Sequence, residues 1–358
     1  MARIDERDIM FSRMCREKGS KEYNDYYQAR PEKKEIDDRI RAMPAMTDKQ
    51  TKFFNVFDSP IIDATFEFLS DISGLVDGGI QAEEKLETGP DKFTEKLEGL
   101  ARFYGAKLSG VAELKRDYYY SYRGRTDAVY GEKVDPDLPY TFVFAVEMDP
   151  SYVNSAPTLT ESIGVTKAYL DAAIVGMILA YYIRLLGYRA RNHMDGNYLM
   201  VLPLAGKEAG LGDIGRHGLL VTPEYGTRVR LGAVSTDMPL VKSEPSPLKI
   251  EEFCNRCRRC AQVCPSQSIS KKPAEIIDGV RRWQTHQESC YSKWRELGTD
   301  CGFCVAVCPF SLPMEKEDIA AYYKDPKQAH ELLKKYKTMA YREKIDDKKL
   351  DWLEEITL

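Results

Sequence analysis

Eight of the chain's nine cysteines fall into two runs of one spacing, and that constrains the fold more than any other feature. Cys254, Cys257, Cys260 and Cys264 read C-x2-C-x2-C-x3-C, with Pro265 next. Cys301, Cys304 and Cys308 read C-x2-C-x3-C, with Pro309 next and Cys290 a short way upstream. A cube of iron and sulfide needs four converging thiolates. Two-residue gaps let one tight turn present three of them, and the proline-marked fourth crosses to a second cube. The pattern assigns Cys254, Cys257, Cys260 and Cys308 to one [4Fe–4S] cluster, and Cys264, Cys290, Cys301 and Cys304 to the other. Such a chain folds around two cubes and moves electrons one at a time. Zinc takes paired C-x2-C motifs rather than a triplet ending in x3-C-P. Disulfides belong to oxidising compartments, and the sequence opens without an apolar signal segment. Cys15 lies outside both runs and reads as a plain free thiol.

The length of 358 residues suggests about two domains. A net charge of −4 offers no global basic field for nucleic acid. The longest apolar run, Ala172 to Ile183, is too short to cross a bilayer and lies between Asp171 and Arg184. It reads as a buried core helix, and no membrane span is expected. The first residues are charged throughout and lack a twin-arginine pair, so cytoplasmic residence is expected.

Composition divides the chain into four parts. Residues 1–90 are charged and helical in pattern, a cap whose aromatic stretch from Thr47 to Leu75 either buries one face or lies as a lid over a pocket. Residues 91–245 alternate between the two periodicities and read as α/β. Strands are expected at Lys107–Ala112, Tyr140–Met148, Tyr188–Ala190, Tyr198–Pro203 and Thr227–Thr236. A long helix is expected from Thr158 to Leu186, stopped by Gly187. The aromatic run Tyr118–Tyr122 fits either a substrate entrance or a half-buried edge strand. Residues 246–312 are the cysteine module, reached through a Ser-Glu-Pro-Ser-Pro linker, and 313–358 form a charged helical tail.

The middle of the chain resembles the corrinoid-dependent reductive dehalogenases. The motifs are Ala209-Gly-Leu-Gly-Asp-Ile-Gly-Arg216, Thr222-Pro-Glu-Tyr-Gly226, Arg230 and Thr236-Asp-Met-Pro-Leu240, followed by the two cysteine runs. The helix end Ile183-Arg-Leu-Leu-Gly-Tyr188 and the setting Cys290-Tyr-Ser-Lys-Trp294 are also similar, and the likeness covers roughly residues 140–310. It implies an α+β protein: a nitroreductase-like α/β core that binds a corrinoid, a ferredoxin-like module with two [4Fe–4S] clusters, and a helical N-terminal region. The corrinoid would be held base-off. The chain has no D-x-H-x-x-G string for a ligand histidine, in keeping with that family.

The resemblance also implies site residues. The family's proton donor, fifteen residues before the arginine of the Ile-Arg pair, falls on Tyr169. A buried phenol suits that role if a cation lowers its pKa. Arg230 is the candidate cation, with Arg228 on the same strand face as its rival. Asn197 stands at the family's asparagine position, and its other reading is a left-handed turn after Gly196. His193 is a further candidate acid, or else a solvent-exposed loop histidine. The Gly210-Leu211-Gly212 loop, Arg216 and Tyr225 are the expected corrinoid contacts.

Three functions follow. The first is a reductase that replaces carbon–halogen by carbon–hydrogen on a small-molecule, organohalide substrate, fed by an external donor such as ferredoxin or flavodoxin. The second is another reductive reaction on the same scaffold, as in the epoxyqueuosine reductases, which use an aspartate acid and a basic RNA-binding face. The third is a ferredoxin-like electron-transfer protein with no chemistry of its own. The sequence leaves the substrate, donor and oligomeric state open.

Overall fold

The stretch Tyr140–Glu147 is apolar throughout because alternating side chains enter two different apolar layers. Phe142, Phe144 and Val146 join Ala168, Ala172, Val175 and Leu179 of the long helix Leu159–Leu185. Val143 and Ala145 face the other way, toward Leu202 and Ala205 of the helix Leu202–Glu208. Each large apolar side chain buried in this way contributes about 1.5–3 kcal/mol. The structure is a computed structural model that describes residues 3–336 except 114, 278 and 313, together with Leu353.

The core sheet has four strands: β1 Leu108–Glu113, β2 Tyr140–Glu147, β3 Ala190–His193 and β6 Val229–Thr236. Their spatial order is β1-β2-β6-β3, and every pairing is antiparallel. Two short hairpins complete the strands: β4 Asp213–Ile214 with β5 Leu220–Val221, and β7 Glu275–Ile277 with β8 Val280–Arg282. Helices on both faces of an antiparallel sheet make the architecture α+β, whereas residues 91–245 read as α/β in sequence. The expected strand at 198–203 does not form. Met200 makes a single bridge to Tyr119, and Pro203 sits in the first turn of a helix, where its missing N–H costs nothing. The run Tyr118–Tyr122 is no edge strand either; it begins in a 3-10 turn and turns Tyr119 into the core.

The long helix passes the length and hydropathy test for a membrane span, and 61% of its apolar window is buried inside the protein. Helix Ser59–Ile72 packs across it, burying Ile62 and Leu69. The first part of the chain is further held by Arg13, which bridges Asp37 (2.9 Å from Nε) and Glu288 of helix Gln287–Leu297 (2.9 Å).

The cysteine module is seated on the sheet through the segment before β6. Gly226 has φ +56°, and a Cβ there would lie 2.2 Å from the Phe310 carbonyl carbon, so only glycine fits. Arg228 donates to the Ser311 carbonyl (2.5 Å) and pairs with Glu147 (2.9 Å). The expected tail begins with helices Lys316–Lys324 and Ala329–Lys335. Tyr322 is fully buried against Phe253 and Phe310, and donates to the Lys249 carbonyl at 2.6 Å. Apart from Leu353, residues 337–358 of the tail lie outside the described residues.

Candidate active site and electron path

The cysteines converge as two sets. Cys254 and Cys257 lie on helix Ile250–Cys257, which ends at Arg258 in a left-handed conformation (φ +55°); the next helix, Arg259–Val263, carries Cys260. With Cys308 they line one small cavity. Cys264, Cys290, Cys301 and Cys304 lie within electrostatic reach of one another. Cys260, Cys264 and Cys304 share one apolar cluster with Ala261, Ile269 and Val307, so the two sets adjoin. Among the described residues no three His, Cys, Asp or Glu side chains gather tightly enough for one metal ion.

Burial pushes the thiols up, Cys254 and Cys260 to about 12 and Cys290 and Cys301 to about 11. Cys264 differs: burial raises it, but the Ser266 hydroxyl and the N–H groups of Ser268, Ile269 and Ser266 bring it below its ordinary value. Thiols this buried become thiolates only when a cation compensates them, and iron supplies that charge.

A second cavity of about 330 Å³, open on one side, lies beside β6. Its walls include Val201, Leu202, Leu220, Val229 and Leu231, and its polar groups are Tyr169, Tyr198, Arg230, Arg125, Asp195 and Glu6. Val305, next to Cys304, also lines it, so the second cysteine set is the inner one. The outer set has exposed Arg258 at the rim of its cavity.

Tyr169 and Arg230 meet here. The guanidinium carbon stands 3.8 Å from the phenol ring centroid, and Phe66 of the overlying helix approaches the same ring at 5.6 Å. The aromatic stretch near residue 66 buries one face, as one of its two readings expected, and through Phe66 it touches the Tyr169 ring. Burial raises the Tyr169 phenol and Arg230 lowers it, with burial the stronger. The expected net lowering is therefore reversed, because the hydration the phenolate loses in this half-buried position outweighs what one cation returns. Arg230 is pulled down by burial, but Tyr169, Tyr198, Asp300 and Asp195 more than offset this. Its Nε is buried without a hydrogen-bond partner.

Asn197 is not on the cavity wall. Its Oδ1 accepts from Arg123 (2.8 Å) and Arg191 (2.6 Å), and its Nδ2 donates to the Ser73 carbonyl (2.9 Å), which ties down the loop. Its neighbours Asp195 and Tyr198 face the cavity instead. His193 is buried rather than exposed. Its Nδ1 accepts from the Leu199 N–H, so Nε2 carries the proton and donates to Ser235 (2.8 Å). Arg228, the rival cation, is spent on Ser311 and Glu147.

The expected corrinoid contacts lie elsewhere too. Gly210 has φ +77°, and its close approach is to the chain's own Glu244 carbonyl; that of Gly212 is to the Val221 carbonyl. Leu211 is a core residue, and Tyr225 packs on the same cluster. Arg216 belongs to the outer cysteine set: it donates to the carbonyls of Cys254 (3.1 Å), Ser270 (2.7 Å) and Lys272 (2.6 Å) and stacks on Trp283. Sequence reading missed Tyr198, Asp195, Arg125 and Glu6. Arg125 pairs with Asp195 at 3.1 Å. Tyr120, in the tyrosine run, was singled out only as one of five and does line the cavity.

The 4Fe-4S dicluster domain family matches residues 253–312. A tetrachloroethene reductive dehalogenase of Sulfurospirillum multivorans is 31% identical over 258 residues, covering 63% of this chain and 51% of the relative. Another, from Dehalobacter restrictus, is 36% identical over 180 residues, covering 47% of this chain and 32% of the relative. The chain thus spans at most about half the length of these curated relatives. A solved catabolic reductive dehalogenase in complex with 3-bromo-4-hydroxybenzoic acid has the same fold, with a TM-score of 0.77 at 19% identity over 96% of this chain and 47% of its own. With its two cysteine sets and these sequence relatives, the chain is similar to the reductive dehalogenases, whose fold it shares.

Proposed function

We propose that the protein is a corrinoid-dependent reductase that replaces a carbon–halogen bond by carbon–hydrogen, with electrons relayed through two [4Fe–4S] clusters. The observation that carries the reading is the Arg230–Tyr169 pair in a largely apolar cavity that Val305 joins to the inner cysteine set. The cavity's lining fits a corrinoid's mixed surface: aliphatic walls for the ring, polar side chains beside them, and a buried guanidinium Nε with no partner. We take the surrounding core to be nitroreductase-like, with residues 1–90 as its cap.

The balanced reaction consumes two electrons and one proton and releases halide. When bound, the corrinoid supplies the low-valent cobalt that breaks the carbon–halogen bond. The chain supplies the rest. The outer cysteine set receives each electron and the inner set delivers it at Val305. Phe66 of the helix Ser59–Ile72 packs against the Tyr169 ring and holds it in place. Tyr169 stays protonated because it is buried, and gives its proton to the carbon. Arg230 stabilises the phenolate that remains, since a cation over the ring attracts the added charge. Tyr198, close enough to feel the charges of Tyr169 and Asp195, is the second phenol of the site.

A transfer-RNA base reductase would need an aspartate acid. The cavity's aspartate, Asp195, is committed to its ion pair with Arg125, which favours the dehalogenase reading. The test is anaerobic reconstitution with cobalamin and iron–sulfur clusters, followed by halide release from a panel of halogenated phenols and chloroethenes. Full cofactor content with no halide from any of them, together with reduction of an epoxyqueuosine stem-loop, overturns the proposal.

A further inference from the structure

The segments that carry and adjoin the outer cysteine set present exposed cations. Arg256 is exposed on the helix that carries Cys254 and Cys257, and Arg258 is exposed at the cavity rim. Lys271 and Lys272 are exposed on the segment that Arg216 fastens to this helix, through the Cys254, Ser270 and Lys272 carbonyls. Among the described residues none of the four forms an ion pair, although the chain as a whole carries a net charge of −4. Their acidic surroundings are thin. Glu251 is taken up by Arg281 at 2.7 Å, which leaves Glu252 on the same helix and Glu275 on β7 as the exposed carboxylates against four cations.

Nothing in the folding of the module requires this arrangement. Exposed like charges held near one another repel and cost stability, while Arg216 alone already joins the helix to the 270–272 segment. The arrangement does suit a function at this point of the chain. The outer set is where an electron must enter, and a one-electron carrier must bring its own redox centre close to it. A positive collar attracts an acidic carrier and turns its redox face toward the cysteines. Such fields raise association rates by about 10–10³-fold and are screened by salt.

We propose that Arg256, Arg258, Lys271 and Lys272 form the docking collar for an acidic one-electron carrier protein, which hands its electron to the outer cluster. In each encounter one electron leaves the reduced carrier and enters that cluster. Two encounters supply the pair that the overall reduction consumes. This assignment rests on the proposed role of the outer cysteine set as electron entry, but not on the identity of the substrate.

The experiment is stopped-flow reduction of the fully clustered protein by a reduced acidic plant-type ferredoxin, read as bleaching of the cluster absorbance with no halogenated substrate present. The reduction rate is expected to fall about tenfold or more between about 0.05 and 0.5 M salt. The triple variant Arg256→Glu, Lys271→Glu, Lys272→Glu is expected to be about 10–100-fold slower at low salt, with a flattened salt dependence. Its iron content and its reduction by photoreduced deazaflavin, a small neutral reductant, should match the parent's. Arg258 is left unchanged because it touches the cluster cavity itself. A carrier rate that ignores salt, or a triple variant with full iron and an unchanged carrier rate, overturns the assignment. So does a result in which the variant loses binding of a transfer-RNA stem-loop while carrier reduction is unaffected. Because the readout stops at the clusters, a failure to release halide from any substrate leaves the docking result standing.

Discussion

Replacing Tyr169 with phenylalanine removes one oxygen and leaves the ring in place. The ring's contacts with Arg230 at 3.8 Å and Phe66 at 5.6 Å should survive, so folding free energy should change by about 1 kcal/mol or less. Turnover should fall by about 10²–10⁴-fold, the usual contribution of a general acid. That is about 2.7–5.4 kcal/mol of transition-state free energy. The pH dependence sharpens the test. Burial holds the phenol above its ordinary 10.0, and the opposing effect of Arg230 is smaller. An acid works in its protonated form, so its contribution persists at low pH and is lost only as pH rises through the raised pKa. The parent rate should therefore show no limb from Tyr169 below about pH 10. Arg230→Met removes the opposing cation, makes the phenol a weaker acid, and should cost about one to two decades in rate. The assay is halide release under anaerobic conditions with a strong artificial donor, so that electron delivery is not limiting. Cofactor content is measured on each preparation. If Tyr169→Phe carries full iron and corrinoid yet turns over within about threefold of the parent, the reasoning fails. Tyr198 on the same wall would then be the first residue to test.

Three further outcomes are expected. Anaerobically reconstituted protein should hold about eight irons per chain, and Cys260→Ala should lose one cluster's paramagnetic signal while keeping the other; stoichiometric zinc with little iron would refute this. Gly226→Ala puts a Cβ 2.2 Å from the Phe310 carbonyl carbon at φ +56°, and should destabilise the seating of the cysteine module by about 1–4 kcal/mol, read as a lower denaturant midpoint. Glu288 is raised by burial, but Lys33 and Arg13 hold it down to about 2 from an ordinary 4.5. Its folded pKa is depressed, so its stabilisation is full above about pH 4.5 and is lost as pH falls toward about 2. In Arg13→Met the acid-unfolding midpoint should move to higher pH, and an unmoved midpoint would count against the link.

What the sequence determined by itself was chemistry that depends on spacing along the chain. Two-residue gaps and a proline-marked fourth cysteine belong to one local turn, so both cysteine sets could be read without a structure. The long helix was legible for a similar reason, since its apolar run and the stop at Gly187 are local signals. Tyr169 and Arg230 came from resemblance, and the fold brings them together because the long helix and β6 pack against each other.

Tertiary structure decided what depends on distant segments. Glycines at 210 and 212 predicted close approach to something, but only the fold shows that the neighbours are the Glu244 and Val221 carbonyls. Arg216, read as a cofactor contact, turned out to clasp Cys254, Ser270 and Lys272, all far along the chain. Asn197 and Tyr198 are adjacent in sequence, yet one ties down the loop and the other faces the cavity, a choice made by Arg123, Arg191 and the Ser73 carbonyl. The sign of the Tyr169 shift was likewise settled in three dimensions. A sequence can supply a cation for a phenol, but how completely water is excluded from that phenol depends on every segment folded over it.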